Sequence, residues 1–190
     1  SVSHTVDDVA GNMIFTHSYT SGNSAYPTAD SMVFANSAKN IDILLETKRH
    51  KDSLESWNER YGMLFEFENG KNISFCLGSV SDTWKIANLY TVNTDGSLKY
   101  EVGTEWHTLT STEKVAFMDN LKLDFRVVRQ GTDVKIFLNN NLIATVDLTE
   151  NNSGVTAETA AKVTIIHSGQ PKTSNTGNVV GTIPFILTTP

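Results

Sequence analysis

Through most of this chain, apolar and polar residues alternate with a period of two in short runs, and the runs stop at Gly, Asn or Asp. Successive residues of a strand point to opposite faces, so the pattern dictates strands with one buried side. Ile41, Ile43 and Leu45 alternate with Asp42, Leu44 and Glu46. Tyr61, Met63, Phe65 and Phe67 alternate with residues that include Arg60, Glu66 and Glu68, and Asn69-Gly70 then turns the chain into Ile73, Phe75 and Leu77. An Asn-Gly pair accepts the positive φ of a two-residue turn, which predicts a hairpin of residues 60–68 with 71–78. A second series runs from Leu121, Leu123, Phe125 and Val127 through Gln130-Gly131-Thr132 to Val134, Ile136 and Leu138. It turns again at Asn139-Asn140-Asn141 into Leu142, Ala144, Val146 and Leu148. Further strands are expected near 12–17, 31–35, 83–91, 161–168 and 180–187, and short helices near 111–119 and 156–161.

Ten or more short strands with tight turns leave no room for crossover helices. The predicted class is therefore all-β, a two-sheet antiparallel β-sandwich or jelly roll. The 190 residues suit one such domain, and no internal linker or repeat divides them. Nine Phe, five Tyr and three Trp supply a core, which excludes disorder. The net charge of −6 argues against nucleic acid as a partner, since a phosphate-binding surface needs clustered Lys and Arg. No apolar run approaches the ~20 residues of a membrane-spanning helix. A single cysteine, Cys76, excludes an internal disulfide framework and a multi-thiolate zinc site, and its place beside Phe75 and Leu77 reads as a buried thiol. Two Asn-x-Ser sequons, at Asn72 and Asn151, matter only in a secreted eukaryotic protein. The start at Ser1 and the final run over 182–190 are read as those of one domain excised from a larger multi-domain protein.

Residues 121–148, Leu-Lys-Leu-Asp-Phe-Arg-Val-Val-Arg-Gln-Gly-Thr-Asp-Val-Lys-Ile-Phe-Leu-Asn-Asn-Asn-Leu-Ile-Ala-Thr-Val-Asp-Leu, form a strand–turn–strand–turn–strand pattern. It resembles the meander of the concanavalin A-like lectin/glucanase superfamily, laminin-G-like and carbohydrate-binding-module sandwiches included. The run Arg60-Tyr-Gly-Met-Leu-Phe-Glu-Phe67 resembles an earlier central strand of that family. The resemblance implies a concanavalin A-like sandwich whose members often bind carbohydrate, less often proteins, and sometimes hydrolyse glycans.

Hydrolysis needs two carboxylates facing one cleft, which glucanases resembling this superfamily carry as Glu-x-Asp-x-Glu on one strand. The nearest match, Glu66-Phe67-Glu68, ends at once in the Asn69-Gly70 turn, so no catalytic residue and no enzyme is expected. The five His residues lack metal-ligand spacing. Asp30, Asp82 and Asp95 sit in loops that could hold a structural calcium, but they form no Asp-x-Asp-x-Asp array, and no other cofactor is expected. A sugar ring presents an apolar face rimmed with hydroxyls, so its site combines an aromatic platform with bidentate polar groups. Trp57 lies in the polar insertion between two strands, where core packing explains it poorly. Trp84 and Trp106 are the other aromatic candidates, each with core packing as the competing reading. Lys48, Arg49, Arg60 and Glu66 come from adjacent predicted strands and the loop between them, and are the expected polar partners.

The expected function is a non-catalytic module, monomeric, that binds an oligosaccharide or polysaccharide in an extracellular, secreted or surface-attached bacterial protein. A protein-binding adhesin or structural module and a glycoside hydrolase are the alternatives.

Overall fold

The alternating runs form strands where the pattern places them, and the turns fall where Asn and Gly permit them. The computed structural model describes residues 2–7, 12–19, 28–49, 60–80, 83–95, 98–100, 103–118, 122–169, 177–184 and 187–188. In chain order the strands are β1 (Val2–Asp7), β2 (Asn12–Tyr19), β3 (Thr28–Ala38), β4 (Ile41–Arg49), β5 (Arg60–Phe67) and β6 (Asn72–Val80). There follow β7 (Thr83–Ala87), β8 (Tyr90–Val92), β9 (Leu98–Tyr100), β10 (Glu105–Thr108) and the helix α1 (Ser111–Met118). Then come β11 (Lys122–Gln130), β12 (Asp133–Leu138), β13 (Asn141–Asp147), β14 (Ala161–Gly169), β15 (Gly177–Pro184) and β16 (Leu187–Thr188).

All strand pairing among the described residues is antiparallel. An eight-stranded sheet runs β1-β2-β15-β4-β11-β12-β13, with β16 added beside β4. A six-stranded sheet runs β10-β7-β6-β5-β14-β3, and β8 pairs with β9 in a separate ribbon. Between the two sheets lie Ile43 and Leu45 of β4, Phe125 and Val127 of β11, and Val134 and Ile136 of β12. Facing them are Phe65, Phe75, Ile86, Val163 and Ile165 of the six-stranded sheet, all fully buried. Each such side chain contributes about 1.5–3 kcal/mol by leaving water, and the two-residue period delivers them from every strand to one layer. The fold is an all-β, two-sheet antiparallel sandwich, as the alternation requires.

The outer face of the six-stranded sheet departs from the expected polar surface. Leu64, Cys76 and Ile166 point outward from β5, β6 and β14, yet they are buried against Ala87, Leu89 and Tyr90. The β8–β9 ribbon brings Val92 and Leu98 onto this second small core. The predicted strand over 83–91 breaks at Asn88 to make that cover. The Ser74 hydroxyl donates to Asn88 Oδ1 at 2.6 Å and accepts the backbone N–H groups of Leu89 and Tyr90 at 3.0 and 3.1 Å. A buried hydroxyl thus replaces the ladder partners that the chain gives up as it leaves the sheet.

The hairpin predicted at Asn69-Gly70 is present, with Gly70 at φ 85°. The helix expected near 111–119 is α1, capped reciprocally by Thr110 and Glu113. No helix forms over 156–161. Thr156 and Thr159 bond to each other's segment instead, and β14 begins at Ala161.

Candidate functional site

One side of the sandwich opens between the β5–β6 turn and the end of β13, and a cleft of about 270 Å³ lies there. Its apolar wall is built from Trp106 of β10, Ile73 of β6, and Val146 and Leu148 at the end of β13. Lys71 comes from the β5–β6 turn and Asn72 from the start of β6, Asn88 and Thr104 from the segments flanking β7 and β10, Asp147 from the end of β13, and Glu150 and Asn151 from the loop after it. A second, more open depression of about 500 Å³ adjoins the β11–β12 turn, and among the described residues no aromatic lines it.

The cleft is held by hydrogen bonds behind its surface. The Trp106 indole N–H donates to the Ser74 carbonyl at 3.3 Å, and the ring leans on Phe75 with centroids 5.6 Å apart. Asn88 Oδ1 accepts the Ser74 backbone N–H at 3.0 Å as well as its hydroxyl, so one buried serine orients two cleft residues. On the opposite side Asp147 Oδ1 accepts the Thr149 hydroxyl at 2.6 Å and the Thr149 backbone N–H at 2.8 Å. The hydroxyl first, and the backbone N–H second, hold the Asp147 carboxyl below the usual carboxylate range. Asn69 Nδ2 donates to the Ser153 carbonyl at 2.9 Å, tying the β5–β6 turn to the loop across the cleft mouth. Asn151 and Asn152 take φ of 58° and 54°, a conformation that asparagine tolerates better than most residues. An apolar wall facing amides, an ammonium and two carboxylates can pair with an apolar ring that carries hydroxyls.

Of the aromatic candidates, Trp106 lines this cleft, half-buried. Trp84 offers no surface for a ligand: it is 5% exposed and meets Phe117 of α1 edge-on, with centroids 4.8 Å apart. Register is the reason, since Trp84 shares the parity of Ile86 and both face the core. Trp57 lies outside the described residues, as does Asp82. Asp30 is in β3 opposite His167, and Asp95 is in the β8–β9 turn. Among the described residues no three His, Cys, Asp or Glu side chains gather as a metal site.

The expected polar cluster divides. Lys48 and Arg49 belong to β4, in the eight-stranded sheet, opposite Lys122 and Gly181. Arg60 and Glu66 belong to β5, in the six-stranded sheet, opposite Gly78 and Asn72. The chain changes sheets between β4 and β5, which alternation along a strand cannot reveal, so the four do not share a sheet face. Glu66 lies 3.6 Å from its cross-strand neighbour Lys162, and Glu68 accepts the Ala160 backbone N–H at 3.2 Å.

On the outer face of the eight-stranded sheet, register aligns Leu44, Arg126, Phe137 and Leu142 in one row across four strands, apolar but for Arg126. The Arg126 guanidinium grips Asp42 through two nitrogens and covers the Phe137 ring at 5.6 Å. That ring is already stacked, which leaves the lateral cleft as the better-formed site. Its rim was hidden from the sequence. Asn72 and Asn151 stood out only as sequons, and nothing in periodicity brings residues 71–73, 104–106 and 146–151 together.

The chain matches no protein-family model and no curated protein. Solved structures do resemble it. The laminarinase catalytic domain from Thermotoga maritima superposes with a TM-score of 0.58 at 12% identity, over 97% of this chain and 78% of that one. A Bacteroides ovatus family 16 glycoside hydrolase from a mixed-linkage glucan locus gives 0.56 at 12%, over 98% and 85%. The Bacillus licheniformis β-glucanase gives 0.53 at 9%, over 98% and 82%.

These likenesses correct one expectation. The missing Glu-x-Asp-x-Glu array pointed to a chain that is not an enzyme, yet the structures sharing its fold are glucanases and a laminarinase, so catalysis is not excluded. Spacing along one strand registers only that strand's carboxylates, whereas a cleft gathers them from several segments. The sheet order and the likenesses agree on the architecture: the chain is a jelly-roll β-sandwich, the fold that these glucanases and the laminarinase share.

Proposed function

We propose that the chain binds an oligosaccharide or polysaccharide in the lateral cleft. The observation that carries this reading is the pairing of the Trp106 wall with a rim of Lys71, Asn72, Asn88, Asp147, Glu150 and Asn151. An aromatic wall takes the C–H face of a sugar, and fixed amides and carboxylates take its hydroxyls. Ser74, Thr149 and Asn69 hold the rim in place before a ligand arrives, which lowers the ordering cost of binding. The glycan-directed names of the similar structures lend support. The reading includes an extracellular or cell-surface setting and a monomeric state, to be checked by fractionating the source cells and by light scattering. A glycan microarray on the purified chain tests the function: a defined set of bound glycans is expected, and a blank array contradicts it.

Hydrolysis of the bound glycan is a second reading, favoured by one observation. Two carboxylates, Asp147 and Glu150, line the same cleft, and glycoside hydrolysis uses such a pair as acid and as base or nucleophile. Thr149 holds the Asp147 carboxyl below the usual carboxylate range, which favours the ionised state that a base or nucleophile needs. Incubating the chain with laminarin or mixed-linkage β-glucan should release reducing ends, and Glu150→Gln should reduce the rate by at least 100-fold. Equal rates in the two proteins would remove Glu150 from the chemistry.

A further inference from the structure

We infer that the lateral cleft takes a single terminal unit of a neutral glycan, a pyranose at a chain end, and discriminates against uronic and sulfated sugars. The inference rests on the glycan reading and adds the ligand class and the manner of entry.

Size argues for one ring. About 270 Å³ falls just short of the ~300 Å³ at which sites for drug-sized ligands begin. A stretch of polysaccharide passing through needs an open groove, but three segments wall this cleft: the β5–β6 turn, β10, and the loop after β13. On the six-stranded sheet the β8–β9 ribbon covers the outer face around Leu64, Cys76 and Ile166, which removes that patch as a broad binding platform.

Charge argues for a neutral ligand. Among the described residues, one cation, Lys71, and two carboxylates, Asp147 and Glu150, line the cleft. Asp147 is fixed by two hydrogen bonds to Thr149 through one oxygen. An anionic sugar entering here meets a held negative charge that cannot swing away, whereas a hydroxyl pair can donate to it. The amides of Asn72 and Asn151 offer both donors and acceptors, which suit hydroxyls that do both, and Asn88, whose oxygen is taken by Ser74, offers its amide N–H groups.

The test combines calorimetry with affinity electrophoresis. The wild-type chain is titrated with the methyl glycosides of glucose, galactose and mannose and with methyl glucuronide. It is also run through gels containing laminarin, mixed-linkage β-glucan or starch. At least one neutral glycoside is expected to bind with millimolar affinity and the glucuronide at least 10-fold more weakly. Asn151→Gly and Lys71→Ala are expected to lower the neutral affinity 5-fold or more at unchanged melting temperature. Glycine keeps the positive φ at position 151, so Asn151→Gly removes the amide without straining the turn. Retardation by a polysaccharide with no binding of any methyl glycoside overturns this inference and leaves the glycan reading standing, as does a glucuronide that binds equally well. No retardation and no glycoside binding overturns both.

Discussion

Among the described residues, Arg129 is one of the largest fully buried side chains. Its guanidinium donates to the carbonyls of Gly131 at 3.0 Å and Thr156 at 3.2 Å and lies 5.3 Å over the Phe67 ring, while burial pulls its pKa below the usual guanidinium value. Arg129→Ala opens a cavity and abandons those carbonyls, and should cost about 3 kcal/mol in urea unfolding. Arg129→Met keeps the packing on Phe67 and should cost about half as much; equal losses would mean that the hydrogen bonds alone matter. Asp147 gives a pH prediction. Its folded pKa is depressed, so its contribution to stability is fully present above the unfolded value of about 3.9 and is lost as pH falls through the lower folded value. Thr149→Val removes the hydroxyl, the larger cause, and a carboxyl-carbon NMR titration should show the Asp147 pKa moving up. No movement would assign the depression to another group. Single residues were the least legible scale in the sequence: Trp84 and Trp106 sit in similar polar contexts, yet one packs on Phe117 and the other lines the cleft.

At the scale of elements, the sequence is clearest where a local rule acts alone. Gly70 at φ 85° and Asn139-Asn140 at 48° and 65° turn the chain as their tolerance for positive φ allows. The start of α1 follows a capping box: the Glu113 backbone N–H donates to Thr110 Oγ1 at 3.2 Å, and the Thr110 N–H donates to Glu113 Oε2 at 3.1 Å. His107 Nε2 also reaches that carboxylate at 2.8 Å, joining the helix to β10. Thr110→Ala should therefore lower stability by about 1 kcal/mol, read by chemical denaturation; an unchanged midpoint would show that packing of Phe117 holds the helix unaided. Gly62 marks the opposite case, an element detail set by contacts far along the chain. A Cβ there would lie 2.1 Å from the Phe75 carbonyl oxygen and 2.6 Å from the Cys76 Cα, so β5 could not keep its distance from β6. Gly62→Ala should cost about 3 kcal/mol by forcing those strands apart, and a neutral effect would contradict the register. The helix expected at 156–161 fails for a related reason, since threonines that bond locally compete with helical backbone bonds.

For the molecule as a whole, alternation determines which residues are buried but not which sheet each strand joins. Leu44, Arg126 and Phe137 could be assigned to outward faces from parity alone, yet their alignment in one row depends on β4, β11 and β12 being neighbours. The expected cluster of Lys48, Arg49, Arg60 and Glu66 failed on that same missing information, because β4 and β5 fall in different sheets. The cleft is the clearest instance. It exists because the edge strands β10 and β13 bring Trp106, Asp147 and Asn151 to one opening from opposite sheets. Its central claim, glycan binding beside Trp106, is tested most directly by following the three tryptophan indole N–H signals in a ¹⁵N-labelled sample as an array-positive oligosaccharide is added. Trp106→Phe assigns one of the signals. The account predicts that the Trp106 signal shifts and saturates while that of buried Trp84 stays still. A shift confined to Trp57, or saturable binding that leaves Trp106 unmoved, would contradict it.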